Sequence, residues 1–300
     1  MKFLVTGGSG FLGKRLIEHL IDAGHEVVLL GRTLPKESSS TAGQTFFEAD
    51  IIDIQSLEAC KKAFPDISGV VHMAALVPKN KEEDEAQAML RINAQGTLNL
   101  LEVFGESIHN FVYASTAEVY GLPVTDQPLT EASLPAPLSY YGASKLTGEL
   151  FCNVYAQKHN LPISLLRFTV LYGPGDTINR AIPNFIKKAL AGENLDVFGG
   201  EELRDYLHVN DAAEALYLAA TTPVSGVFNI GTGKGITIKS TAESIIQAVN
   251  PELSIKLLPR EKKAADIVLD ISAARQELGF TPKYTFPDLI EEQIEWHKHN

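Results

Sequence analysis

Two hydrophobic periods alternate along the first half of the chain. Phe3-Leu4-Val5 is a short apolar run ended by Gly7-Gly8, and between 11 and 23 apolar residues recur at 12, 16, 17, 20 and 21. The first pattern predicts a buried strand and the second an amphipathic helix, which Gly24 closes. The alternation continues, with strands predicted at 27–30, 45–47, 69–73, 111–114 and 163–166 and helices at 57–64, 82–104 and 140–159. Residues 34–44 read as a polar loop, and 79–85 as a loop entering a solvated helix start. After about residue 170 turn signals multiply, as in Tyr172-Gly173-Pro174-Gly175, Phe198-Gly199-Gly200 and Gly231-Thr232-Gly233. Helices are predicted there at 180–191, 210–220, 240–249, 272–277 and 287–298, mixed with short strands.

Continuous apolar strands alternating with helices imply a parallel sheet covered on both faces. The predicted fold class is therefore α/β, a Rossmann-type doubly wound parallel sheet with a smaller mixed α/β C-terminal substrate lobe. The expected division is 1–170 for the dinucleotide-binding domain, with 205–231 returning to it through the strand at 227–230, and 171–204 with 232–300 for the lobe.

Composition narrows the function. The 300 residues are 45% hydrophobic and 21% charged, an ordinary globular balance. With 37 acidic against 26 basic residues the net charge is -11, which argues against a nucleic-acid partner. Two cysteines, Cys60 and Cys152, give neither a disulfide framework nor a zinc motif, and the eight histidines are scattered, so no metal is expected. No apolar run reaches the ~18 residues of a membrane span, and the start MKFLVTGG lacks a signal core, so a cytoplasmic protein is expected.

The chemistry begins at Thr6-Gly7-Gly8-Ser9-Gly10-Phe11-Leu12-Gly13, between the first strand and the first helix. Glycines there allow positive φ and close approach of a diphosphate to the backbone, while the helix N-terminus supplies positive potential. Gly7, Gly10, Phe11, Leu12 and Gly13 are thus candidate contacts of NAD or NADP. The second strand ends in Gly31-Arg32-Thr33, with no carboxylate for a ribose 2′-hydroxyl. Arg32 favours the 2′-phosphate of NADP by charge and fork geometry, the alternative being a solvated arginine beside NAD. Asp50 and its neighbour Ile51 follow the third strand, where an adenine ring would lie.

Tyr141 and Lys145 lie four apart on a predicted helix and share one face. A neighbouring ammonium is expected to favour the phenolate, making Tyr141 an acid/base group for a hydroxyl undergoing hydride transfer. Ser115 and Thr116 end the fifth strand, where a hydroxyl would meet the reacting oxygen.

These segments, with HMAA at 72–75, NAQGT around Asn93, ASTAEVYG at 114–121, YGASK at 141–145, LYGPG at 171–175, RDYLHVNDAAEA at 204–215 and FNIGTG at 228–233, resemble the extended short-chain dehydrogenase/reductase family, in its nucleotide-sugar epimerase and dehydratase branch. The resemblance covers nearly the whole chain. It implies Tyr141 as acid/base, Lys145 on the nicotinamide ribose, and Thr116 beside Ser115 on the reactive oxygen. It places Asn93, Ala74 and Ala75 along the cofactor, Arg204 and Arg260 on a sugar-nucleotide diphosphate, and Glu118 beside the substrate. It also implies a homodimer through helices near 85–104 and 141–158. Three departures stand out: Val170 where sugar-nucleotide members often carry Asn, Lys262-Lys263 in place of Gly-Asp after Arg260, and Ala117 where dehydratases carry the acid that expels water.

The expected function is an NAD(P)-dependent epimerase of a nucleotide-diphosphate sugar. One alternative is an NADPH-dependent reductase of a keto sugar or other carbonyl, favoured by Arg32 and Val170. An alternative of another class is a non-catalytic dinucleotide-binding protein.

Overall fold

The computed structural model describes residues 1–33, 42–78, 82–122, 127–260 and 265–300. Most of the polar loop at 34–44, the first residues of the 79–85 stretch, and Lys262-Lys263 lie outside the described residues. In chain order the first half runs β1 (Lys2–Thr6), α1 (Phe11–Asp22), β2 (Glu26–Gly31), β3 (Gln44–Glu48), α2 (Ile54–Ala63), β4 (Gly69–His72), α3 (Glu82–Met89), α4 (Gly96–Phe104), β5 (Asn110–Thr116), α5 (Tyr140–His159) and β6 (Ile163–Phe168). The second half runs β7 (Val170–Tyr172), α6 (Ala181–Leu190), β8 (Leu195–Phe198), β9 (Leu203–His208), α7 (Val209–Thr221), β10 (Gly226–Ile230), β11 (Gly235–Thr237), α8 (Ile238–Val249), β12 (Ile255–Leu258), α9 (Ser272–Glu277) and α10 (Ile290–His299).

Seven strands form one parallel sheet in the order β10-β6-β5-β4-β1-β2-β3. This is the doubly wound sheet that the alternating periods predict. Its strands are apolar on both faces because both are covered: Phe3 and Val5 of β1 pack with Leu16 and Leu20 of α1 and with α7, whereas Leu4 packs with Leu57, Leu100 and Phe104 of α2 and α4. Each such fully buried side chain contributes about 1.5–3 kcal/mol. The strand order reverses at β1, so the carboxyl ends of β1, β4 and β5 open onto one crevice, the place where such sheets bind ligands.

The helix predicted at 82–104 is interrupted. A π-helical turn, Leu90–Gln95, separates α3 from α4. Apolar spacing does not register this extra residue per turn. The helix predicted from 57 starts three residues earlier, at Ile54, because the Asp53 carboxylate accepts the Gln55 N–H and caps it.

The remaining strands form a sheet ordered β11-β9-β7 and a β12-β8 pair. A separate core holds them, with Phe185 and Ile186 of α6, Ile245 of α8 and Ile294 of α10 packed around Tyr172 and Tyr206. No helix among the described residues is long and apolar enough to cross a membrane.

Candidate active site

The glycine turn sits where the strand order reverses. Gly7 has φ 73°, and a Cβ there would lie 2.7 Å from the Ala74 nitrogen; a Cβ on Gly13 would lie 2.4 Å from the Gly7 oxygen. Only glycine permits this packing of turn, helix and β4 end. Gly10 precedes α1 without offering a side-chain cap, and the first turn carries no acidic residue. The first N–H groups of α1 therefore remain available to an anion.

The turn opens onto a crevice of about 600 Å³. Gly7, Gly10, Phe11, Leu12 and Gly13 line one part; Ala75, Ser115, Thr116, Glu118, Tyr141 and Lys145 line the rest, with Arg204 at its far side. Two strand ends and the first turns of α5 thus converge on one space. Ser139 caps α5 by accepting the Gly142 N–H, and Glu82 Oε1 accepts the N–H of Tyr141 at 2.6 Å. The backbone that carries the phenol is fixed from two sides.

Hydrogen bonding distinguishes the two strand-end hydroxyls. Thr116 Oγ1 accepts the Glu118 N–H at 3.2 Å, which leaves its own proton for a ligand. Ser115 Oγ donates to Glu149 Oε1 at 2.5 Å. Lys145 is only 1% exposed, yet its Nζ has no hydrogen-bond partner among the described residues and rests 4.0 Å from the centroid of the Tyr113 ring. An orphaned buried ammonium at the wall of a crevice is an unfilled donor site.

Electrostatics modify the expected role of Lys145. Burial lowers its pKa to about 7, against the opposing pull of Cys152 and Glu149. Burial raises the Tyr141 phenol above its ordinary value and Glu118 adds to this, while Arg180 is the charge that favours the phenolate. A desolvated amine is a weakened source of positive charge, and among the groups acting on the phenol Arg180 is the cation that favours its ionised form. Desolvation also raises the Glu118 pKa, opposed by its hydrogen bond from Ser139, with Glu82 adding a smaller push upward.

Several candidates stand away from the crevice. Asn93 is fully buried in the π-helical turn, and all its bonds are made within the protein: Oδ1 accepts the Leu76 N–H, and Nδ2 donates to the Leu76 carbonyl and Ser144 Oγ. It holds the loop after β4 against α5 and does not line the crevice. Ala74 abuts Gly7, its N–H donating to Thr6 Oγ1. Asp50 Oδ1 accepts the Ile52 N–H, Ile51 packs under Gly96, and Arg32 is exposed at the end of β2; none of the three lines the crevice. Arg260 pairs with Glu202 at 3.1 Å and lines a second cavity of about 570 Å³. That cavity shares Val170, Arg180 and Arg204 with the crevice.

Sequence reasoning missed three charged residues. Arg180 lines both cavities, with Nη2 donating to Asp176 and the Leu171 carbonyl and a buried Nε without a partner among the described residues. It precedes α6 in a turn-rich stretch and belongs to no motif. Glu149 and Arg167 form a buried bidentate pair at 3.0 and 2.7 Å. The spacing of Lys145 and Glu149, one helical turn apart, was the available signal for Glu149.

The residues fit a dinucleotide: a capless helix start for phosphate, an orphaned amine for hydroxyl oxygens, and a hydroxyl and a phenol at the same crevice. Comparison with known proteins gives the same picture. A sequence model of the NAD dependent epimerase/dehydratase family matches residues 3–231. A putative UDP-glucose 4-epimerase of Methanocaldococcus jannaschii is 32% identical over 305 residues, covering 99% of this chain and 98% of that protein. The structure of a UDP-glucose 4-epimerase of Thermotoga maritima with UDP-glucose superposes with a TM-score of 0.89 at 29% identity, covering 100% of this chain and 99% of that one. A dTDP-glucose 4,6-dehydratase of Bacillus anthracis in complex with NAD gives 0.87 at 26% identity, covering 100% and 97%.

Proposed function

Because the chain belongs to the NAD dependent epimerase/dehydratase family, we propose that it epimerises a nucleotide-diphosphate sugar, through transient oxidation to a keto intermediate and return of hydride to the other face. It is an NAD(P)-dependent enzyme of the extended short-chain dehydrogenase/reductase type. The observation that carries the reading is the convergence of Thr116, Tyr141 and the unpartnered Lys145 amine with the glycine turn on one crevice.

When bound, the dinucleotide supplies the hydride acceptor. Lys145 holds its ribose hydroxyls, and Gly7, Gly10, Phe11, Leu12 and Gly13 accommodate its diphosphate, with Ala75 along it. Thr116 donates to the reacting sugar oxygen, and Tyr141 takes the hydroxyl proton and later returns it. Arg204 and Arg180 face the sugar-nucleotide diphosphate, and Arg260 extends the cationic wall into the second cavity. Glu118 faces the sugar. Ala117 leaves no acid to expel water, which favours epimerisation over dehydration. The lobe formed by 171–204 and 232–300 closes the crevice over the keto intermediate. The assembly is a homodimer, supported by Leu90, Leu150 and Val154, which are 50%, 57% and 50% exposed.

A second reading, a single-pass NADPH-dependent reductase, is favoured by Arg32 at a β2 end without a carboxylate. One experiment separates the two. The purified protein is denatured, its retained dinucleotide identified by mass spectrometry, and the native protein incubated with a panel of nucleotide sugars. Epimerisation predicts a retained dinucleotide and product without added cofactor and without net change in the reduced-nicotinamide absorbance. Stoichiometric NADPH consumption with no epimer formed overturns it in favour of the reductase.

A further inference from the structure

Ser115 and Thr116 are neighbours at the mouth of β5, and the protein fixes the direction of the hydrogen bond each can offer. The cause lies beneath them. Glu149 is 1% exposed and Arg167 4%, and the guanidinium grips both carboxylate oxygens, Nε on Oε1 and Nη2 on Oε2. A carboxylate so held is an acceptor only. The proton between Ser115 and Glu149 therefore belongs to Ser115. Bonds from both sides converge on Glu149, and from Arg167 outward the series runs away from the crevice with one polarity. Arg167 Nη1 donates to the Tyr120 hydroxyl at 2.9 Å, Tyr120 donates to Asn229 Oδ1 at 2.7 Å, and Asn229 Nδ2 donates to the carbonyls of Leu129 and Asp270. Carbonyl oxygens close the series, so it cannot reverse. Both residues line the crevice; Ser115, its proton committed to Glu149, has only lone pairs left for a ligand, while Thr116, already accepting from the Glu118 N–H, keeps a proton to give.

We propose that the buried Glu149–Arg167 pair is a positioning device that makes Ser115 an obligate acceptor, so that the end of β5 presents one donor and one acceptor and selects a ligand offering an O–H or N–H group to Ser115. A carbonyl oxygen can satisfy Thr116 but not Ser115. The group that satisfies Ser115 is a sugar hydroxyl or an amide N–H of the dinucleotide. This rests on the proposed function, since it concerns the same crevice.

The test is a double-mutant cycle with Ser115→Ala and Glu149→Gln, read as dinucleotide affinity, KM for the sugar and kcat on each preparation, with thermal unfolding alongside. Ser115→Ala should lower kcat/KM or dinucleotide affinity roughly tenfold to a hundredfold with little change in unfolding temperature, the cost of one ligand donor left unpaired. Ser115→Thr, which keeps the hydroxyl, should restore most of it. Loss confined to dinucleotide affinity assigns the donor to the amide; loss confined to the sugar assigns it to a hydroxyl. Glu149→Gln should add less than about twofold in the Ser115→Ala background. Multiplicative effects in that cycle, or an unchanged Ser115→Ala enzyme, overturn the proposal, and the second outcome decides even if Glu149→Gln does not fold. If the wild type turns over no nucleotide sugar, the proposed function fails, while the dinucleotide arm still tests this inference.

Discussion

Lys145 is the residue whose state most directly couples binding to stability. Its amine is buried without a hydrogen-bond partner among the described residues, and burial lowers its pKa from the ordinary 10.5 to about 7. The native state therefore holds fewer protons than the unfolded chain between about 7 and 10.5. The contribution of this residue to stability rises with pH across that window and is lowest below it. Removing an unpaired buried charge should then help the ligand-free fold. Lys145→Met is expected to stabilise dinucleotide-free protein at pH ~6 by on the order of 1–3 kcal/mol, with the gain shrinking toward pH ~10, while dinucleotide retention is lost. Calorimetry across pH checks the sign: a gain that grows with pH would mean that the ammonium finds a partner in the native state. Lys145 was legible in the sequence because it follows the one tyrosine with a lysine four residues on. Its isolation was not, because an unpaired amine is defined by what fails to surround it. Asn93 shows the converse. The motif around it was legible, but whether its amide met a ligand or a loop depended on which way an irregular turn pointed it.

That irregular turn is a property of the element. A regular helix through 82–104 would keep its apolar stripe at a constant pitch; the π-helical Leu90–Gln95 segment shifts the phase between α3 and α4. Within it Asn93 satisfies both the N–H and the carbonyl of Leu76 and bridges to α5 through Ser144. Asn93→Ala leaves these part-buried backbone groups without their amide partner. The expected cost is about 2–4 kcal/mol in denaturant unfolding, together with weaker dinucleotide retention as the loop after β4 loosens. Unchanged stability would show that water replaces the amide. Element existence and type in the first half were readable because the parallel strands there, buried except for the edge strand β3, impose continuous apolar runs. The lobe was read more coarsely. Its strands are short, β7 and β11 having three residues each, and their partners lie far along the chain, so local pattern carried little of their pairing. Arg180 was lost for the same reason.

Across the whole molecule, the π-helical turn after α3 and the outer face of α5 leave Leu90, Leu150 and Val154 half in water, although the sheet behind them is sealed. In the proposed homodimer these faces meet their copies. Leu150→Asp is expected to yield monomers in sedimentation equilibrium at micromolar protein while retaining the cooperative unfolding of the sheet core. A dimer that survives the substitution would move the interface elsewhere. The chain path carries a further consequence. It leaves the large sheet at β6 to build β7, α6, β8 and β9, comes back as α7 and β10, and leaves again for β11. The second core is thus stitched to the large sheet by several crossings of the polypeptide. A protease cutting the 222–225 connection would produce two fragments that stay interleaved, and no single stretch of coding sequence could be excised to yield either half intact.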